Sequence, residues 1–274
     1  MKTGRVLITG ASRGLGAGLA REMARRGFHV IAGVRNPANA EGLLRDVEGL
    51  AGSIELQQMD VAALADYRPP SDLLVLINNA GYRGPYLPAE ETATEEWLKT
   101  FQTNFFGLAE LTRRAIPVLR INGGGVICNI GSIGAFMLMP FYATYRASKA
   151  ALAAFSECLS MELAPFGIRV IEVPVGGIDT DMLRTSIAHR PPDAIAFEAY
   201  RPMAQHPAAM PVQGKLHAIT PAQAAINIAD QLFIEGALRR ACDPNGISGL
   251  QYLDDSSAEQ RLQAAMQKFD LDRT

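Results

Sequence analysis

Short apolar runs recur along the chain, each closing on glycine or small polar residues and each followed by a stretch in which apolar residues return every three or four positions. Arg5-Val6-Leu7-Ile8, Val30-Ile31-Ala32-Gly33, Ile54-Glu55-Leu56, Leu73-Leu74-Val75-Leu76-Ile77, Val126-Ile127-Cys128-Asn129-Ile130 and the run from Ile168 to Pro174 are of the first kind. They are short, β-branched and mostly apolar throughout, which predicts strands covered on both faces. Leu15, Leu19 and Met23 have helical spacing, with Gly27 where a C-terminal cap belongs. Thr94 is the expected N-cap of a long helix with the stripe Leu98, Phe101, Phe105 and Leu108, and Tyr142 to Pro165 reads as the next. Another helix follows Pro221, Gly249-Leu250-Gln251-Tyr252-Leu253 reads as a last strand, and the charged segment from Asp254 as a terminal helix. Strands alternating with helices predict an α/β fold: a doubly wound parallel sheet flanked by helices on both faces, in a single domain over 1–274.

Composition narrows the class. With 274 residues, 48% of them apolar, the chain can bury one substantial core. A net charge of −2 without a basic run argues against a nucleic-acid partner. No apolar stretch approaches the ~20 residues that span a bilayer, and the first apolar run is too short for a signal peptide. Cys128, Cys158 and Cys242 are odd in number and lack metal-ligand spacing, while His29, His189, His206 and His217 form no ligand grouping. Reduced thiols, a cytoplasmic setting and no metal are expected.

In open parallel sheets ligands bind beyond the carboxyl ends of the strands. The first strand runs into Thr9-Gly10-Ala11-Ser12-Arg13-Gly14-Leu15-Gly16 and a helix, an order in which glycines permit a tight turn and backbone N–H groups face a pyrophosphate. Other strands end at Asn78-Asn79-Ala80-Gly81, at Gly131-Ser132 and near Ile178-Asp179-Thr180. Tyr145 and Lys149 lie one helical turn apart, so the ammonium can sit beside the phenol and favour its ionised form. A phenol of ordinary pKa near ~10 is thereby brought closer to the range useful in proton transfer. Tyr142 and Arg146 have the same spacing, but arginine's charge is spread over a planar fork and matches a phenol and ribose less well, so Tyr142 is assigned to substrate or packing.

Taken together, the T-G-x-x-x-G-x-G turn, Asn-Asn-Ala-Gly, Asn104, Ser132 and Tyr145-x-x-x-Lys149 resemble the short-chain dehydrogenase/reductase family over about residues 4 to 182. The resemblance implies a Rossmann-type fold and a catalytic set of Asn104, Ser132, Tyr145 and Lys149. Tyr145 would be the general acid in reduction and the base in oxidation. Ser132 would bind the substrate oxygen, Lys149 the nicotinamide ribose, and Asn104 a water linking Lys149 to solvent. Gly10, Ser12, Arg13, Gly14, Leu15 and Gly16 would cradle the cofactor with Asn79, Ala80 and Gly81. Asp60 and Val61 resemble the adenine contact, and Ile178 and Thr180 hold the family's carboxamide positions, although the usual Pro-Gly pair appears here as Val175-Gly176 after Pro174. The family's Asp-Gly-Gly signature near the last strand is absent.

Charge selects the cofactor. Val34-Arg35-Asn36 after the second strand has no carboxylate to meet a ribose 2′-OH, whereas Arg13 and Arg35, with Ser12 and Asn36, suit a 2′-phosphate, so NADP(H) is expected. The proline-rich segment of about 181–220, which includes Pro191, Pro202 and Pro211, is expected to be a lid. Its Met182, Phe197, Tyr200, Met203 and Met210, with Phe136, Met137, Met139, Phe141 and Tyr142, would line an apolar pocket. The expected activity is reduction of a partly apolar ketone, or oxidation of the matching secondary alcohol, by a homodimer or homotetramer. The helical stripe from Leu98 serves equally as dimer face or core. A non-catalytic NADP(H)-binding sensor or scaffold on the same fold is the alternative.

Overall fold

The computed structural model describes residues 4–188, 192–209 and 218–271; His189, Pro191, Met210, Pro211 and His217 lie outside them. Six parallel strands, β1 (Arg5–Thr9), β2 (His29–Val34), β3 (Ser53–Gln58), β4 (Leu73–Asn78), β5 (Gly125–Ser132) and β6 (Ile168–Val175), form one sheet in the order β3-β2-β1-β4-β5-β6. The helices are α1 (Gly14–Arg25), the short α2 (Gly42–Arg45), α3 (Thr94–Phe101), α4 (Gly107–Ile121) and α5 (Ala143–Leu163). Further on come α6 (Asp181–Ala188), α7 (Pro192–Ile195), α8 (Arg201–Gln205), α9 (Pro221–Gln231), α10 (Pro244–Asp254) and α11 (Ala258–Lys268).

Period-two alternation divides the core between the sheet faces. Val6, Ile8, Val75, Ile77 and Cys128 point to one side and pack with Leu19, Met23, Ile228 and Leu232 of the α1 and α9 region. Leu7, Leu76, Ile127 and Val170 point to the other, against Leu111, Leu119, Leu159 and Leu163 of α4 and α5. Each fully buried leucine or isoleucine contributes about 1.5–3 kcal/mol, and a strand slipped by one residue would send each apolar set to the opposite face, where its packing partners do not match. β1 and β4 lie side by side at the centre, and the chain reverses its direction of winding between them. Their ends open the crevice that holds the candidate site.

Three sequence expectations need correction. Gly249 to Leu253 is not a strand but part of α10, because Asp243 caps that helix by accepting the Gly246 N–H (3.0 Å) and Pro244 is preorganised for its first turn. β6 instead meets a single parallel bridge ten residues earlier, at Arg239, where Glu172 N–H donates to Leu238 O (2.9 Å) and Arg240 N–H to Glu172 O (2.9 Å). Thr94 opens α3 rather than capping it, since Ala93 is the N-cap. The long helix it was expected to begin is interrupted by a π-helical turn, Gln102–Phe106. Among the described residues no helix is long and apolar enough to cross a membrane.

Candidate active site

Backbone geometry builds one end of the site. Gly10 and Gly14 adopt φ of 65° and 57°, conformations that side chains resist. A Cβ on Gly16 would lie 2.4 Å from Gly10 O and 2.5 Å from Asn79 Nδ2, so glycine is required where α1 leaves the turn. Asn79 Nδ2 donates to Thr9 O (2.9 Å) and Gly10 O (3.1 Å), and the Thr9 hydroxyl accepts Asn79 N–H (3.0 Å) and Ala80 N–H (2.9 Å). The ends of β1 and β4 are thereby stapled together, a role for Thr9 and Asn79 that the sequence motif alone does not disclose.

A cleft of about 740 Å³ runs from this turn to the end of β5. Gly10, Ser12, Arg13, Gly14, Leu15 and Gly16 line it, and so do Arg35, Asn36, Asp60 and Val61 beyond β2 and β3. Asn79, Ala80 and Gly81 line the middle, with Ile178, Thr180 and Met182 on the far wall. Arg35 is exposed on the rim with no carboxylate ion pair among the described residues, while Arg13 Nε stands 4.0 Å from Asp181 Oδ2. The Asn36 side chain caps a 3₁₀ turn through Ala38 N–H (3.1 Å), and Asp60 caps another through Ala62 N–H (2.9 Å).

Buried side chains build the other end. Ser132 closes β5, and α5 presents Tyr145 and Lys149 from one face; all three are buried and line the cleft. Lys149 Nζ donates to Ile130 O (2.8 Å), which fixes the ammonium against the strand. Burial alone would raise the Tyr145 pKa, but the Lys149 charge, the Arg83 charge, and hydrogen bonds from Arg83 and Ser132 outweigh it and hold the phenol below its ordinary value. Burial likewise depresses Lys149, with the Tyr145 phenolate opposing and Arg83 reinforcing that shift. The pair is therefore electrostatically primed to exchange protons.

Asn104 sits just behind the cleft wall on the π turn. Its Oδ1 accepts Tyr82 N–H (2.7 Å), and its Nδ2 donates to Tyr82 O (2.8 Å) and Ser148 Oγ (3.0 Å). The side chain is thus engaged in positioning the loop after β4 and the helix that carries Tyr145. A Cβ on Gly81 would come within 3.7 Å of Asn104 Oδ1 and 3.9 Å of Lys149 Nζ, which shows how closely these groups approach. Deeper in, Asn78 Nδ2 donates to Asn129 Oδ1 (2.8 Å) and Thr112 Oγ1 (2.9 Å), and Asn129 Nδ2 to Ser156 Oγ (2.8 Å), so β4, β5, α4 and α5 are locked in register beneath the site.

The other residues expected to line a substrate pocket separate. Met182 is in the cleft. Tyr142 is buried outside its lining, stacked on Tyr86 (5.3 Å between centroids) and tilted against Tyr145 (5.0 Å), with Met139 and Phe141 packed around the three rings. Phe136 lies under the Arg239 guanidinium (5.0 Å), away from the cleft lining, and Met137 is exposed. The described parts of the expected lid, 181–188 and 192–209, form short helices tied to the loop after β4: Tyr86 OH bonds Ser186 Oγ, Tyr86 N–H donates to Asp193 (3.2 Å), and Tyr200 OH donates to Glu90 (2.7 Å).

Sequence reasoning passed over Arg83. Its guanidinium lies 4.7 Å from the Tyr145 ring centroid and 5.6 Å from that of Tyr142, at the cleft wall. The signal for it was a cation two residues past Asn-Asn-Ala-Gly, in a loop with no periodicity to flag it. Asp243, buried and accepting Gly176 N–H (2.9 Å) and Gly177 N–H (2.8 Å), was also missed.

Known proteins resemble this chain in sequence and shape. The family model described as short chain dehydrogenase matches residues 4–191. The uncharacterized oxidoreductase YusZ of Bacillus subtilis (strain 168) is 34% identical over 210 residues, covering 71% of this chain and 73% of that one. A short-chain dehydrogenase structure from Streptomyces avermitilis is 28% identical with a TM-score of 0.72, covering 98% and 97% of the two chains. One from Burkholderia cenocepacia J2315, solved in complex with NADP, is 27% identical with a TM-score of 0.70, covering 100% and 99%.

Proposed function

The chain belongs to the short-chain dehydrogenase/reductase family, and from that premise we propose that it is an NADP(H)-dependent carbonyl reductase and alcohol dehydrogenase. The observation that carries the reading is the buried Tyr145 phenol, lowered in pKa by Lys149 and Arg83 and hydrogen-bonded by Ser132 at the end of a dinucleotide-sized cleft. The residues present fit the cofactor: the turn at Gly10–Gly16 has no room for side chains at its tightest point, and Arg35 with Asn36 stands where an NAD-specific fold carries an acid. The NADP in the Burkholderia structure agrees with that choice. Arg13 and Arg35 would grip the 2′-phosphate, and Ile178 and Thr180 would flank the carboxamide.

When bound, NADPH supplies a hydride to the carbonyl carbon. Ser132 holds the carbonyl oxygen, Tyr145 donates its proton to that oxygen, and Lys149 stabilises the phenolate left behind. In the reverse direction Tyr145 accepts the hydroxyl proton. Asn104 keeps Tyr82 and α5 in place through both directions. The segment of about 181–220, of which 181–188 and 192–209 are among the described residues, acts as the lid that excludes water, with Met182 against the substrate. Exposed Leu98, Phe106 and Met161 on and beside α3 to α5 are the surface of a homodimer or homotetramer, and the free thiols suit a cytoplasmic setting.

The test is loss of reduced-nicotinamide absorbance with a panel of ketones and aldehydes, using Tyr145→Phe as the control. NADPH consumption that depends on both the carbonyl and Tyr145 is expected. Activity undiminished in Tyr145→Phe would refute the mechanism, and absence of turnover across the panel would count against the reductase reading.

A further inference from the structure

Arg83 carries a charge that chemistry on a neutral ketone does not require. A guanidinium stays ionised in a protein, and withdrawing it from water without a counter-ion is unfavourable; Arg83 is half-buried. Among the described residues no aspartate or glutamate forms an ion pair with it, whereas Arg26, Arg114 and Arg239, which are also partly buried, each have one. Glu96 on α3 packs its carboxylate against Gly84, next to Arg83 in the chain, where a Cβ would meet Oε1 at 2.3 Å; that oxygen is itself buried without a hydrogen-bond partner and forms no ion pair with Arg83. Arg83 makes do with two tyrosine faces and a hydrogen bond to the Tyr145 phenol, and its Nε is buried with no hydrogen-bond partner. An ionised fork with an unused N–H, at the wall of the cleft beside the proton donor, lacks an anion.

We propose that Arg83 is a specificity residue that binds a carboxylate of the substrate, and that the substrates are oxo acids whose carboxylate stands one or two carbons from the reacting carbonyl. The inference rests on the reductase reading above. Its short spacing follows from geometry: the guanidinium is in contact with the same phenol that must reach the carbonyl oxygen, so the two oxygens it and Tyr145 engage belong to carbons one or two bonds apart in one small molecule. Arginine suits the task because its fork offers a carboxylate two parallel N–H donors, which a lysine cannot match. In the step itself the carbonyl carbon gains a hydride with its electron pair from the reduced cofactor, the carbonyl oxygen gains the Tyr145 proton, and the carboxylate leaves unchanged on a hydroxy acid. Tyr145 recovers its proton from solvent.

A matched pair, benzoylformate and its methyl ester, separates this role from a mere effect on Tyr145. In the wild type kcat/KM with NADPH is expected to favour the acid, and Arg83→Met is expected to lower the acid-to-ester ratio by on the order of 100-fold. Arg83→Lys should recover part of that ratio. If both substrates decline in parallel, so that the ratio is unchanged in Arg83→Met, Arg83 acts only through the phenol and the proposal is overturned. A wild type indifferent to the acid overturns it too. Calorimetric titration of the NADP-loaded protein with benzoylformate supplies a readout without turnover: wild-type binding lost in Arg83→Met supports the anion site, and equal binding by both refutes it. Binding through Arg83 without reduction of any carbonyl would sink the reductase reading alone, whereas reduction of neutral ketones with an Arg83-insensitive ratio would sink this inference alone.

Discussion

The two ends of the cleft are built from different materials. At the glycine turn the groups on offer are backbone amides and exposed arginines, and shape is set by the places where no Cβ fits, as at Gly16. At the end of β5 the groups on offer are side chains that alter one another electrostatically: buried Tyr145, Lys149 and Ser132, and half-buried Arg83. Solvent screens charge at the first end and not at the second. A charge removed from the reacting end should therefore cost much more than one removed from the rim.

The largest effect expected is at the phenol. Tyr145→Phe keeps the tilted ring contact with Tyr142 but removes the proton, and kcat/KM should fall by about 10²- to 10⁴-fold with little change in cofactor affinity. Steady-state reduction and a fluorescence titration of NADPH, run side by side, check both halves. A loss seen mainly in cofactor affinity would mean that the two ends are not separable.

Next comes the ammonium. Alcohol oxidation requires the phenolate, so kcat/KM should rise with pH through an ionisation below the ordinary tyrosine value and then level off. Burial by itself pushes that ionisation up and the Lys149 charge pulls it down, so Lys149→Met should move the rise to higher pH by a unit or more, about 1.4 kcal/mol per unit. The pH profile of oxidation reads this directly. A profile that drops in height without moving would assign Lys149 to ribose binding alone.

At the exposed end, Arg35→Ala should lower the kcat/KM preference for NADPH over NADH by about 10-fold, the low end for a charge-assisted contact because water and salt reach the rim. Raising the ionic strength should erode the wild-type preference in the same direction. Measuring both cofactors in parent and variant decides it; an unchanged ratio removes Arg35 from cofactor selection.

What the sequence disclosed follows the same division. Strands, the glycine turn and the Tyr145–Lys149 pair were legible because they depend on local periodicity: alternation of two, a turn that needs positive φ, one helical repeat. Arg83 was not legible, since its meaning lies in a ring it meets across a loop and in having no ion-pair partner among the described residues. Phe136 and Met137 looked like pocket by composition, yet a turn of 3₁₀ helix after β5 sends one beneath Arg239 and the other to solvent. Gly249 to Leu253 had the alternation of a strand, and the Asp243-Pro244 start signal ahead of it prevailed. Asn104 was found by position, but its partners Tyr82 and Ser148 come from two other segments.

Asp243 offers the smallest test and the one that links the ends. It is buried, its two oxygens take three backbone N–H groups, from Gly176, Gly177 and Gly246, and Gly176 lines the cleft opposite the reacting residues. It thereby couples the cap of α10 to the loop that would meet the carboxamide. Asp243→Asn keeps the shape but replaces an acceptor with an NH₂ facing N–H donors, and leaving buried donors unpaired costs roughly 1–3 kcal/mol. The expected result is a lower midpoint in urea, a severalfold higher KM for the cofactor and an unaltered pH profile. Unequal effects are informative here: stability lost with KM unchanged would confine Asp243 to capping, whereas a shifted pH profile would mean that the loop and the Tyr145 environment are coupled more tightly than their separate hydrogen-bond networks indicate.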